Sequence, residues 1–402
     1  VLDHGLSLGS GTAVSALSAC GKLWAMSSST TAAVMRLGAS RVLTRDGFVD
    51  DAVVVIDRAT GLIAGVEPAS GPVPHRLIAP GFVDVQVNGV DDVDCARADG
   101  ADWDRLDHLL LAQGVTAWCP TLVTMPLPRF AAPLDRIGTA MARPARQGQA
   151  RPSIAGAHLE GPFLGGAPGA HPPAQIVPID LDWLRALPCH VAMVTLAAEQ
   201  PLAVAATELL VERGVLVSIG HSTAGHHDME RTFAAGALMA THLYNGMSGL
   251  HHREPGVAAS VLTHPTACAS LIADGVHVHP RMLLLAATLL GPDRTMLVTD
   301  AVAWRAGTAG SIGMALREGA PRLPDGTLAG SAVTMDAAVR TCVAAGVELE
   351  HALRAAATVP ARVLGRHDRG VIEPGRRADL VLLSPELHVE ATVVGGVLAE
   401  VH

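Results

Sequence analysis

The sequence predicts an α/β protein, a (β/α)8 TIM-like barrel with a small β-sandwich domain built from both chain ends. Three observations carry that reading. Through the middle of the chain, apolar runs of strand length alternate with Ala/Leu-rich helical stretches. Those runs are apolar along most of their length, as strands are when helices cover both faces of a parallel sheet. The two ends of the chain share another style, short β-branched runs bounded by Gly, Asp and Pro.

Taken in order, residues 32–75 hold RVLT, DDAVVVID, a turn at Arg58–Gly61 and LIAGVE. Residues 367–402 hold ADLVLLS, HVEATVVG and GVLAEV, and the two segments together are the expected β-sandwich domain. Residues 76–366 are the expected barrel. Its strand candidates are LIAPGFVDVQV, VTAWCPTL, SIAGAHLEG, HVAMVTLA, VLVSIGHS, LMATHLYN, CASLIADG and TMLVTD, with helix-like segments such as WDRLDHLLLAQG, LAVAATELLVERG and HDMERTFAAG between them. Eight strand–helix units in roughly 280 residues match the size of a (β/α)8 barrel. A doubly wound open sheet is the alternative. No strong glycine-rich phosphate loop follows the first strand, which counts against its dinucleotide-binding version.

Residues 1–25 stand apart. Lys22 is the only lysine in the sequence, and TAVSALSACGKLWAM lacks the basic flank of a signal peptide. This stretch is expected to be a leader or an appended segment, with Met26 a plausible start.

Composition excludes several function classes. Apolar residues are 49% of the 402 but aromatics only 3%, so the core rests on Ala, Val and Leu. The net charge of −9 comes without a basic stripe, which argues against nucleic acid as a partner. No apolar run is long enough to span a bilayer. The six cysteines are scattered without a CxxC pair, the pattern of reduced thiols in a cytoplasmic protein.

Functional residues of barrels gather where strands end. The first strand ends in Asp84-Val85-Gln86-Val87-Asn88, the third in His158-Leu159-Glu160, the fifth at His221 and the sixth at His242. Asp274 to His277 follow the seventh and Asp300 the eighth. A lone histidine is more often a bonded core residue than a ligand. Glu160, His221 and His242 on separate strand ends can instead converge on one axis, and a His2Glu set with an open fourth position is a catalytic zinc type.

The motifs APGFVDVQVNG, HLEGPF, GAHP, IGHS, THLYN, HHREPG, ADGVHVHP, LVTDA and GTLAGSAVTM, in that order, resemble the N-acetylglucosamine-6-phosphate deacetylase family of the amidohydrolase superfamily. EPGRRADLVLL resembles the superfamily's return to its small domain. The resemblance runs from about Arg41 to the C-terminus. It implies that Glu160, His221 and His242 hold one divalent metal, zinc first, with iron, manganese or cobalt also suited to these ligands. It implies Asp300 as general base and then acid, and His277 as the contact to the acetamide oxygen or substrate. For the sugar phosphate it implies Asn245, Gly246 and Arg253, the last reaching across a homodimer interface. Ala170, Leu328, Ala329 and Gly330 match further substrate-lining segments. The partner is thus an amino-sugar phosphate, handled in the cytoplasm.

Many amidohydrolases carry His-x-His at the end of strand one. Here those positions are Gln86 and Asn88, poor zinc ligands, so a single metal is expected. The plainer reading makes both amides hydrogen-bonding supports. The loop before His171 is GGAPGAH, shorter than the family pattern by about one residue and lacking its lysines, and the segment Trp304–Pro324 is abbreviated. Two other readings stand beside the deacetylase: an amidohydrolase of another N-acyl or cyclic amide, and a non-catalytic sugar-phosphate-binding relative. A carboxylated lysine bridging two metals is excluded, because the barrel has no lysine.

Overall fold

The computed structural model describes residues 33–144 and 148–400. The expected leader, residues 1–25, lies outside them. The chain opens with β1 (Val34–Thr44), β2 (Gly47–Asp57), β3 (Leu62–Pro68) and β4 (Leu77–Pro80). The barrel follows as β5 (Phe82–Val87), β6 (Val115–Val123), β7 (Ala157–Glu160), β8 (Val191–Leu196), β9 (Leu216–Ile219), β10 (Met239–Ala240), β11 (Cys268–Ile272) and β12 (Thr295–Val298). The chain returns as β13 (Leu380–Leu383), β14 (Val389–Val394) and β15 (Val397–Glu400).

The two ends form one seven-stranded sheet in the order β15-β14-β13-β4-β1-β2-β3. Period-two alternation splits its side chains between two cores. Leu380 and Leu382 join Leu37, Val54, Ile56 and Ile78 in a core of the sheet's own, while Val381 and Leu383 join the main barrel core with Leu77 and Ala79. The small domain is therefore docked on the barrel through the same strands that build it.

LIAPGFVDVQV, which reads as one strand, is cut in two at Gly81. Leu77–Pro80 pairs with β13 and β1, whereas Phe82–Val87 pairs with β6 in the barrel. A Cβ on Gly81 would lie 2.3 Å from Thr116 Cγ2, so only glycine lets the chain pass from one sheet to the other there.

All eight barrel strands run parallel, in sequence order from β5 to β12. The ring closes just beyond the strand ends, where Val87 bridges Ala301 and Asp300 N–H donates to Gln86 O at 3.0 Å. All nine residues of β6 are buried, because barrel packing covers both of its faces. The outer helices bury one stripe each. In Asp102–Leu111 that stripe is Trp103, Leu106, Leu110 and Leu111. Its one buried acid, Asp107, is held by Arg143 and Arg151 at 3.0 Å each. Closure matters for the site because it brings the ends of the first and last strands together.

Candidate active site

Glu160, His221, His242 and Asp300 all sit at the C-terminal mouth of the barrel. Glu160 is the last residue of β7, and His221, His242 and Asp300 each lie two residues past β9, β10 and β12. The last three adopt left-handed backbone, with φ of 49°, 32° and 48°. Non-glycine residues pay for that conformation, and such outliers cluster where a side chain must be aimed. Here the kink turns each side chain off the strand axis and into the mouth.

Three donor atoms converge. His221 Nε2 and His242 Nε2 lie 3.2 and 2.8 Å from Glu160 Oε1 and 3.1 Å from each other. Each ring's Nδ1 is 3.1 Å from a backbone carbonyl, Ala167 O for His221 and Asn245 O for His242. Those carbonyls take the Nδ1 protons and leave both Nε2 lone pairs facing the carboxylate. Lone pairs so placed repel unless a cation stands among them. Tetrahedral ligands at zinc distances are about 3.3 Å apart, so the set fits a divalent ion.

Asp300 stands beside this set. Its Oδ1 accepts from Asn88 Nδ2 at 2.6 Å and Gln86 Nε2 at 3.0 Å. Gln86 Nε2 also donates to Glu160 Oε1 at 3.0 Å. The two amides thus present N–H groups to carboxylates, the supporting geometry, and Gln86 couples the candidate base to a candidate ligand. Asn88 Oδ1 is buried with no partner. Burial first, and then the Glu160 charge, push Asp300 up to about 8. Asp84 lies behind, 2.6 Å from Thr299 Oγ1, and burial lifts it to about 7.

His277 is oriented by Asp274, which accepts from ring Nδ1 at 2.6 Å and from the His277 backbone N–H at 2.8 Å. That leaves Nε2 for the cavity. His279, two residues on, turns away: it is exposed and its Nδ1 accepts from Arg281 N–H, capping the helix Pro280–Leu290.

One cavity of about 320 Å³ joins these groups, the volume of a small-molecule site. Glu160, His221, His242, Asp300 and His277 line it, together with Ala170, Asn245, Gly246 and Leu328-Ala329-Gly330. Arg253 is the exception among the residues taken from the sequence. It is exposed and not part of the lining. The abbreviated segment forms two small hairpins, Thr308–Gly313 and Ala315–Arg322, whose Ala309, Ile312 and Met314 give the cavity an apolar wall.

Two titratable residues of the lining are not among those taken from the sequence. His171 stacks edge-on against His221 with ring centroids 4.3 Å apart, and its Nε2 is 3.9 Å from Glu160 Oε2. Glu160, His171 and His221 form a group close enough to share an ion. Burial first, then the neighbouring His221, hold the His171 ring neutral by lowering its pKa to about 3. It is the histidine of the GAHP motif, next to Ala170. Arg322 also lines the cavity, and its buried Nε has no partner. No motif marks it. By contrast His158, two residues before Glu160, is a core histidine, with Nε2 2.8 Å from Thr195 Oγ1 and Nδ1 3.1 Å from Val85 O.

A barrel whose mouth carries a carboxylate, two histidines and an aspartate defines a metal-dependent hydrolase class, and the chain belongs to the amidohydrolase family, whose model matches residues 77–399. Within it, the chain belongs with the amino-sugar-6-phosphate deacetylases. It is 38% identical over 378 residues to the N-acetylgalactosamine-6-phosphate deacetylase of Escherichia coli O157:H7, covering 90% of this chain and 98% of that one. It is 33% identical to the N-acetylglucosamine-6-phosphate deacetylase of Vibrio furnissii, over 89% of this chain and 93% of that one. The solved N-acetylglucosamine-6-phosphate deacetylase of Thermotoga maritima superposes with a TM-score of 0.83 at 30% identity, over 90% of this chain and 99% of that one. A Mycobacterium smegmatis D267A mutant in complex with N-acetyl-D-glucosamine-6-phosphate gives the same score and identity, over 91% and 99%.

Proposed function

We propose that the protein hydrolyses N-acetylglucosamine 6-phosphate to glucosamine 6-phosphate and acetate. The observation that carries the reading is the convergence of Glu160, His221 and His242 on one point beside Asp300, inside a cavity of small-molecule size. A relative named for that reaction matches over 93% of its length, and one named for the galacto epimer over 98%.

One divalent ion per subunit, zinc first, with iron, manganese or cobalt as alternatives, is assigned to Glu160, His221 and His242. When bound it would polarise the acetamide oxygen and ease deprotonation of water. The other roles fall to the chain's own side chains. Asp300 has one oxygen tied to Gln86 and Asn88 and the other left to take the proton of the attacking water. As the C–N bond breaks, the same oxygen returns that proton to the leaving nitrogen. His277, held by Asp274, donates to the acetamide oxygen as charge develops there. Asn245 and Gly246 receive the phosphate, with Arg253 from the second subunit of a homodimer. Its planar fork suits phosphate oxygens. Ala170 and Leu328 to Gly330 position the sugar. The setting is cytoplasmic, in keeping with free thiols at Cys95, Cys119, Cys189, Cys268 and Cys342. Among the described residues no helix is long and apolar enough to cross a membrane.

The galacto epimer is the second reading, favoured by the 38% identity to an enzyme named for it. The test is acetate release from both epimers, phosphorylated and free, with and without a chelator. Acetate from the phosphorylated sugars, abolished by chelation, is expected; no release from any of them refutes the reading.

A further inference from the structure

The loop from Gly165 to His171 lies across the mouth of the barrel and carries three groups that the site uses: the Ala167 carbonyl on His221, and Ala170 and His171 in the cavity wall. It is short and uncharged; the His171 ring anchors its far end, Nδ1 lying 2.8 Å from Thr124 Oγ1, but its near end, Gly165-Gly166, has no side chain to hold it. The holder there is Glu199, three residues past the end of β8. Its Oε1 accepts from the backbone N–H of Gly166 at 2.9 Å, from that of Thr223 at 2.8 Å and from Thr223 Oγ1 at 3.2 Å, while Oε2 accepts from Ser222 Oγ. One carboxylate thereby ties together the segments that follow β7, β8 and β9.

Neighbouring bonds close the arrangement. Gly165 N–H donates to His221 O at 2.8 Å, and Gln200 Nε2 donates to Leu164 O at 2.7 Å. The glycine pair is a steric requirement of this contact. A Cβ on Gly165 would stand 1.9 Å from Glu199 Oε1, and one on Gly166 2.5 Å from Thr223 Oγ1. The uncharged GG sequence is thus what lets the backbone descend onto the carboxylate.

We propose that Glu199 is a positioning residue: by clamping the Gly165–His171 loop to the barrel mouth it holds the Ala167 carbonyl on His221 Nδ1, and so aims His221 Nε2 at the metal position. The inference rests on the reading of Glu160, His221 and His242 as the metal-holding set. It adds a residue that never touches metal or substrate and acts through two intermediates, the Gly166 amide and the Ala167 carbonyl. A hydrogen-bond partner that fixes a ligand's ring and tautomer is worth 10–100-fold in metal affinity or activity.

The experiment measures zinc affinity of the full-length protein by competition with a chromophoric chelator, with kcat and KM beside it. Glu199→Ala is expected to weaken zinc about 10–100-fold, and to raise KM as Ala170 and His171 lose their place. Glu199→Gln is expected to recover most of the affinity, because its amide oxygen still accepts from Gly166 and Thr223. Gly165→Ala keeps Glu199 but forces the loop off it, and should reproduce the loss; it serves alone if Glu199→Ala does not fold. A general structural role would lower the unfolding midpoint of the metal-free protein and leave zinc affinity untouched. Zinc bound by the wild type and by these variants equally tightly overturns the inference alone. A wild type that binds no zinc overturns the reading of the site and the inference with it.

Discussion

Replacing Asp300 by asparagine separates proton transfer from everything else the residue does. In the native site Oδ1 accepts from two amide N–H groups, Asn88 Nδ2 at 2.6 Å and Gln86 Nε2 at 3.0 Å. An asparagine has one oxygen, and those donors claim it, since an NH2 group placed there would face two others. Its NH2 is therefore directed to the side where aspartate offered a lone pair. The shape is kept and the proton acceptor becomes a donor. General acid–base catalysis contributes roughly 10²–10⁴-fold, so kcat should fall by about that factor with KM little changed. Burial raises the native Asp300 to about 8, so removing its charge should not lower the melting temperature of the metal-free protein. The assay is steady-state acetate release, with metal content and thermal melting measured on the same samples. A kcat within threefold of wild type, at equal metal content, refutes the role of Asp300 as base.

Three further outcomes are expected. Metal analysis of the purified protein should give about one divalent ion per subunit; two tightly bound ions would refute the view that Gln86 and Asn88 act as hydrogen-bonding supports. Arg253→Ala should raise KM for the phosphorylated sugar roughly 10–100-fold, the worth of hydrogen bonds to a charged group, and leave the free sugar unaffected; if Arg322→Ala shows that loss and Arg253→Ala does not, the assignment across the subunit interface falls. Stability should decline as pH drops below 6.5, because burial holds the His158 ring neutral down to about 4 whereas the unfolded chain takes up the proton near 6.5. In that window the unfolded state binds more protons, so stability rises with pH, by about 2 kcal/mol from pH 5 to 6.5 for this one group. Urea midpoints of wild type and His158→Gln measured across the range isolate it, and parallel profiles would refute it.

Glu160, His221, His242 and Asp300 could be picked out from sequence because each follows an apolar run that can only be a buried strand. A strand end in a barrel points its residues at a common mouth. His171 and Arg322 could not be found in the same way. His171 sits in an irregular loop whose place is set by contacts from other segments: Glu199 on Gly166, His221 on Gly165 and Thr124 on the His171 ring. Arg322 belongs to a small hairpin whose distance from the mouth no local pattern encodes. The break at Gly81 was equally hidden, since an apolar run looks the same whether one sheet buries it or two. The reason for the glycine is Thr116, far along the chain and in the adjacent strand.

The sequence by itself determined the barrel, the pairing of the two chain ends and the chemistry of the strand-end residues, because periodicity and residue type are local properties. Tertiary structure decided what those residues do to one another. Gln86 reaches both Glu160 and Asp300 only because ring closure between Val87 and Ala301 sets the first strand beside the last. The two histidines aim Nε2 inward only because carbonyls from Ala167 and Asn245 occupy their other nitrogens. Such contacts depend on distances between segments far apart in the chain, and only the folded chain sets those distances.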